Sequence, residues 1–105
     1  PRPFLIRRRR QVREVGRSNP AIGLARRPTF REKTVRLRKG DRLFFYTDGL
    51  TDAGAPARLL SSDDLRGALS GREALPLGSL IDNVIGWACP TTSRDDIAVL
   101  AAECR

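Results

Sequence analysis

The sequence predicts an α+β fold, an antiparallel sheet packed by two helices, and three observations carry that prediction. Leu43-Phe44-Phe45-Tyr46 is an aromatic and aliphatic run of strand type, bracketed by the turn pairs Gly40-Asp41 and Asp48-Gly49. Ile97 to Ala102 is a second strand-type run, apolar at successive positions and therefore on both faces. Between them, Leu77, Leu80, Ile81, Val84, Ile85 and Ala88 recur at helical spacing and form a stripe suited to packing on a sheet.

In chain order, the elements read β-β, loop, β-β, α, α, β. Phe4-Leu5-Ile6 and Gln11 to Val15 flank Arg7-Arg8-Arg9-Arg10, which predicts a hairpin with the arginine run at its solvated tip. Gly16 to Pro28 is punctuated by Gly, Ser, Asn and Pro and reads as a loop pinned by Ile22 and Leu24. Lys33 to Arg38 alternates, with Val35 and Leu37 facing inward, and predicts a further strand that turns at Lys39-Gly40-Asp41 into Leu43–Tyr46. After the loop Ala53-Gly54-Ala55-Pro56, Ser61 caps a short helix. Asp63 and Asp64 are its first-turn acids rather than metal ligands, and Leu65, Ala68 and Leu69 share one face. The longer helix starts near Pro76 and ends before Pro90, with Trp87 as core cover and Asp82 and Asn83 on the solvated side.

Composition narrows the chemistry. At 105 residues the chain has the size of one small domain, able to bury about 65 % of its unfolded surface. There is no His, and Cys89 and Cys104 are widely separated, which excludes the common zinc and thiol–imidazole arrangements and leaves both thiols without an assigned role. No apolar run has membrane-spanning length, and a cytoplasmic protein with no membrane partner is expected. Residues 1–42 hold 15 Lys and Arg against 3 acids, a net of +12, and residues 43–105 hold 5 against 9, a net of −4. No aromatic residues interleave with the arginine run, so the basic front does not point to nucleic acid.

The chemistry-bearing candidates are acids. Asp48 stands where the first strong strand must stop, and Asp95-Asp96 stands where the last begins. If those strands are antiparallel neighbours, the two acids share one sheet end; a parallel pairing would separate them by roughly 15–20 Å. Carboxylates that meet there repel unless a cation lies between them, which favours a hard divalent ion. Taken singly, Asp48-Gly49 reads first as a plain turn, and it is the second acidic signal at Asp95-Asp96 that shifts the reading toward a ligand.

Tyr46-Thr47-Asp48-Gly49-Leu50-Thr51-Asp52-Ala53, followed later by Arg94-Asp95-Asp96-Ile97-Ala98-Val99-Leu100, resembles the C-terminal half of the metal-dependent protein serine/threonine phosphatases. The likeness is greatest to their SpoIIE-type bacterial branch. Pro1 to Leu5 is similar to the segment that follows a Gly-His pair in the family, and Pro20 to Leu24 is similar to its Pro-x-x-Gly-Leu loop. The resemblance implies a partial α-β-β-α sandwich, with residues 1–105 forming the C-terminal portion of one phosphatase domain. It implies Mn²⁺ or Mg²⁺ as cofactor, two ions in the complete site. Asp48 and Asp95 would be ligands, with Asp96 and Gly49 secondary. The implied reaction is hydrolysis of a phosphoserine or phosphothreonine ester by a metal-activated water. The implied partner is a phosphorylated regulatory protein such as an anti-sigma-factor antagonist.

The family's metal-bridging Asp-Gly pair and phosphate-binding Arg have no counterpart upstream of Asp48. The chain is therefore expected to be inactive in isolation. A non-catalytic module that binds an acidic protein or nucleic acid through its basic hairpin is the alternative from a different class.

Overall fold

A computed structural model describes residues 1–7, 11–15, 35–54, 59–89 and 97–105. The elements are β1 (Phe4–Ile6), β2 (Val12–Glu14), β3 (Arg42–Tyr46), α1 (Asp48–Thr51), α2 (Ser62–Leu69), α3 (Leu77–Ala88) and β4 (Val99–Glu103). The strands form one antiparallel sheet in the order β2-β1-β3-β4. Helices pack on it, so the α+β class is observed.

Cross-strand partners share a face. Phe4 stands opposite Phe44, which stands opposite Ala101, and Tyr46 stands opposite Val99. These residues face the helices, where Phe4, Ile6 and Phe44 join Leu65, Leu69, Leu80, Val84 and Ala88 in one buried cluster. The stripe foreseen on α3 is thus the surface that closes the core, and Trp87 packs partly buried against it. On the other face, Phe45 lies opposite Leu100, and the two are 40% and 63% exposed. A sheet with large apolar side chains outward on one face matches a fold whose second layer is incomplete.

Local chemistry fixes the helix entry. Ser61 Oγ accepts from Asp64 N at 3.1 Å, while Asp64 Oδ2 accepts from Ser61 N at 2.9 Å, a reciprocal capping box. Asp63 and Asp64 are first-turn acids, as their sequence position implies.

Three expectations need correction. Val35–Arg38 forms no strand, although Val35 and Leu37 are half-buried and Arg36 and Arg38 exposed. Both edges of β3 are already paired, to β1 and to β4, so the segment leading into it finds no ladder there. The last strand runs Val99–Glu103 rather than Ile97 to Ala102, because its far end is recruited: Arg42 Nε donates to Glu103 Oε1 at 2.8 Å, and Cys104 N donates to Asp41 O at 2.8 Å. Arg7 is not part of a solvated tip, since its Nε is buried 3.6 Å from Oδ2 of the buried Asp41.

Asp41 also accepts from Arg38 N at 2.8 Å, which closes the turn in which Gly40 adopts a φ of 89°, a conformation open to glycine. The hairpin itself is present, with Ile6 opposite Val12. The readings of Arg8–Arg10, of the 16–28 loop with Ile22 and Leu24, of Lys33 and Thr34, of Ala55 and Pro56, of Pro90, and of Asp95 and Asp96 lie outside the described residues.

Candidate functional site

β3 ends at Tyr46, and its last rung is Tyr46 opposite Val99. The next residue, Thr47, donates its backbone N–H to Ala98 O at 3.1 Å, so pairing with the incoming β4 segment continues one step past the strand. The antiparallel alternative is the one realised: the end of β3 lies beside the start of β4.

Asp48 opens the single helical turn α1, where its carbonyl accepts from Asp52 N at 2.8 Å and from Thr51 Oγ1 at 3.1 Å. Leu50 is fully buried and Thr51 nearly so, and they anchor the turn to the core. The Asp48 side chain is exposed and forms no ion pair with the described residues. Gly49 is half-buried in the same turn. A turn anchored by Leu50 and Thr51 that holds an exposed carboxylate at a sheet end is suited to a divalent cation that prefers oxygen. Asp48 thus fits Mn²⁺ or Mg²⁺ in kind. In number it falls short: no group of three or more potential metal-ligating side chains occurs among the described residues, against roughly six oxygens around such an ion.

Tyr46 faces the helix side of the sheet with its ring stacked on Phe4, centroids 5.9 Å apart. Its phenol pKa is raised above 10.0, first by burial and then by the negative charges of Glu14 and Asp48. The charge of Asp48 is therefore felt at the sheet end as well as in solvent.

A cleft of about 500 Å³ lies at the opposite end of β3, lined in part by Lys39, Arg42, Glu73, Glu103 and Cys104. Its charges largely answer one another. Arg42 pairs with Glu103 and donates to the carbonyls of Glu73 and Leu75. Cys89 and Cys104 form no disulfide, and both are half-buried.

Sequence reasoning put Asp48 at the end of the strand, where the structure has it, but did not single out Thr47, whose hydroxyl accepts from Ala98 N at 3.1 Å. The available signal was a hydroxyl residue at the junction of a strand and a turn, where the backbone changes partners.

The family model described as stage II sporulation protein E (SpoIIE) matches residues 1–105. Comparison with curated proteins and with solved structures gives no match.

Proposed function

The chain belongs to the SpoIIE family, and from that premise we propose that it carries one metal-holding end of a protein serine/threonine phosphatase site. The observation that supports this reading most is the antiparallel rung of Tyr46 and Val99. It sets Asp48, two residues past Tyr46, at the end of the sheet where the β4 segment enters. Asp95 is two residues along the chain from Ile97, a covalent span of at most about 7 Å. Asp48 and Asp95 are the proposed ligands, with Asp96 and Gly49 secondary. Mn²⁺ or Mg²⁺ is the proposed ion, since carboxylate oxygen is the donor type on offer.

When bound, such ions supply Lewis acidity that activates water and neutralises charge on phosphoryl oxygens. The protein's part is positional. β3 and the buried Leu50 hold the Asp48 backbone from two sides, and the carboxylate is left free to face a ligand.

The proposed substrate is a phosphoserine or phosphothreonine on a cytoplasmic regulatory protein of the anti-sigma-factor-antagonist class. No helix among the described residues is long and apolar enough to cross a membrane. We read residues 1–105 as the C-terminal portion of one phosphatase domain, its exposed Phe45 and Leu100 marking the face on which a second sheet stacks. Two carboxylates are too few for tight capture of an ion, so the chain by itself binds Mn²⁺ weakly and is inactive. The binding-module alternative has one of its cations already paired, because the half-buried Arg7 lies 3.6 Å from Asp41.

Calorimetric titration with Mn²⁺, paired with a p-nitrophenyl phosphate assay, tests the reading. Weak binding without turnover is expected. Efficient turnover would overturn the incomplete-site reading, and absence of any Mn²⁺ binding would overturn the metal site.

A further inference from the structure

We propose that Thr47 is the positioning residue of this site, its hydroxyl standing in for a backbone carbonyl so that one residue serves both the sheet and the turn that presents Asp48. This proposal rests on the metal-site reading above.

In an antiparallel ladder, a hydrogen-bonded pair exchanges two bonds, each residue's N–H to the other's carbonyl. Thr47 and Ala98 make the first of these, Thr47 N to Ala98 O at 3.1 Å. The second would run from Ala98 N to Thr47 O. That carbonyl is already engaged: it accepts from Leu50 N at 3.0 Å and so closes the turn that begins at Asp48. The Ala98 N–H goes instead to Thr47 Oγ1 at 3.1 Å. The hydroxyl thus completes the rung, and the carbonyl is released to form α1.

Without an acceptor on the side chain at position 47, the single Thr47 carbonyl would have to serve both Leu50 N in the turn and Ala98 N on the neighbouring strand, at a cost to the geometry of each bond. Either the turn's closing bond weakens, and with it the hold on Asp48, or the exposed Ala98 N–H exchanges its protein partner for water. Serine keeps the hydroxyl, whereas valine keeps the β-branched shape that suits the extended backbone of Thr47 (φ −104°, ψ 164°) and removes both the acceptor and the long 3.5 Å donation from Thr47 Oγ1 to Ala98 O. The same bonds fix Asp48 relative to Ala98, and through it relative to the residues that precede β4. The hydroxyl therefore holds the turn that presents Asp48 against the start of the β4 segment without touching the ion.

Thr47→Val and Thr47→Ser variants of the chain test this by two readouts. The first is amide hydrogen exchange at Ala98, expected to quicken about fivefold to tenfold in Thr47→Val relative to core amides and to stay near wild type in Thr47→Ser. The second is Mn²⁺ affinity from the spectroscopic signal of the free ion, expected to fall several-fold in Thr47→Val and to be restored in Thr47→Ser. Unchanged Ala98 exchange in Thr47→Val overturns the positioning role. So does altered exchange with unaltered Mn²⁺ affinity. Failure of the wild-type chain to bind Mn²⁺ overturns the metal reading beneath it, and the exchange result tells the two failures apart.

Discussion

The ring of Tyr46 lies stacked on that of Phe4, with planes 22° from parallel and centroids 5.9 Å apart. The stack removes part of the phenol from water at the end of the sheet where Asp48 begins its turn. Burial comes first among the causes that raise the Tyr46 pKa above 10.0, followed by Glu14 and then Asp48. A raised folded pKa means that the neutral phenol's contribution to stability is complete below about pH 10, the unfolded value, and is lost as pH rises through the folded value. Tyr46 is the single tyrosine, so absorbance near the tyrosinate band reports it alone. The titration midpoint is expected above 10.0. Glu14→Gln should lower it more than Asp48→Asn. A midpoint at the ordinary value would contradict this environment.

Phe44 and Phe45 are neighbours with opposite fates, fully buried and 40% exposed respectively. Phe44→Ala empties a site between sheet and helices and is expected to cost about 3–5 kcal/mol. Phe45→Ser should change stability by less than about 1 kcal/mol, because its ring faces away from the helices. Urea unfolding of the two variants separates these outcomes, and equal losses would show that the outer face carries unrecognised packing.

Asp41 joins three segments: it accepts from Arg38 N at 2.8 Å, lies 3.6 Å from Arg7 Nε, and gives its carbonyl to Cys104 N. Asp41→Ala leaves a buried guanidinium nitrogen without its counter-charge and an amide without its acceptor. A loss of about 2 kcal/mol is expected. Adding Arg7→Leu should recover part of it, and strictly additive losses would show that the pair is not coupled.

Much of this fold could be read from local pattern. The stripe on α3, the Ser61 cap and the aromatic run of β3 each depend on residues close in sequence, and the helical or strand period exposes them. Val35–Arg38 shows where local pattern stops: alternation identifies a segment that could pair, but whether an edge is free depends on β1 and β4, which lie far away in sequence. Arg7 misled for the same reason, since a run of arginines looks solvated until a buried Asp41 is found beside one of them. Thr47 was hidden differently. Its role arises because α1 borrows its carbonyl, a competition between two elements that neither one's pattern records. Asp48 was legible because the strand's end and the turn's start coincide on it.

In the proposed site, Asp48 and Asp95 face one cation at a common sheet end. The most direct measurement is paramagnetic broadening of backbone amide resonances by Mn²⁺, added at concentrations on the order of the weak affinity expected from so few ligands. The amides of Thr47, Asp48 and Gly49 should broaden together with those of Ile97 and Ala98, and either Asp48→Asn or Asp95→Asn should abolish the effect at both strand ends. Broadening confined to one strand end, or persisting in both variants, would contradict the account.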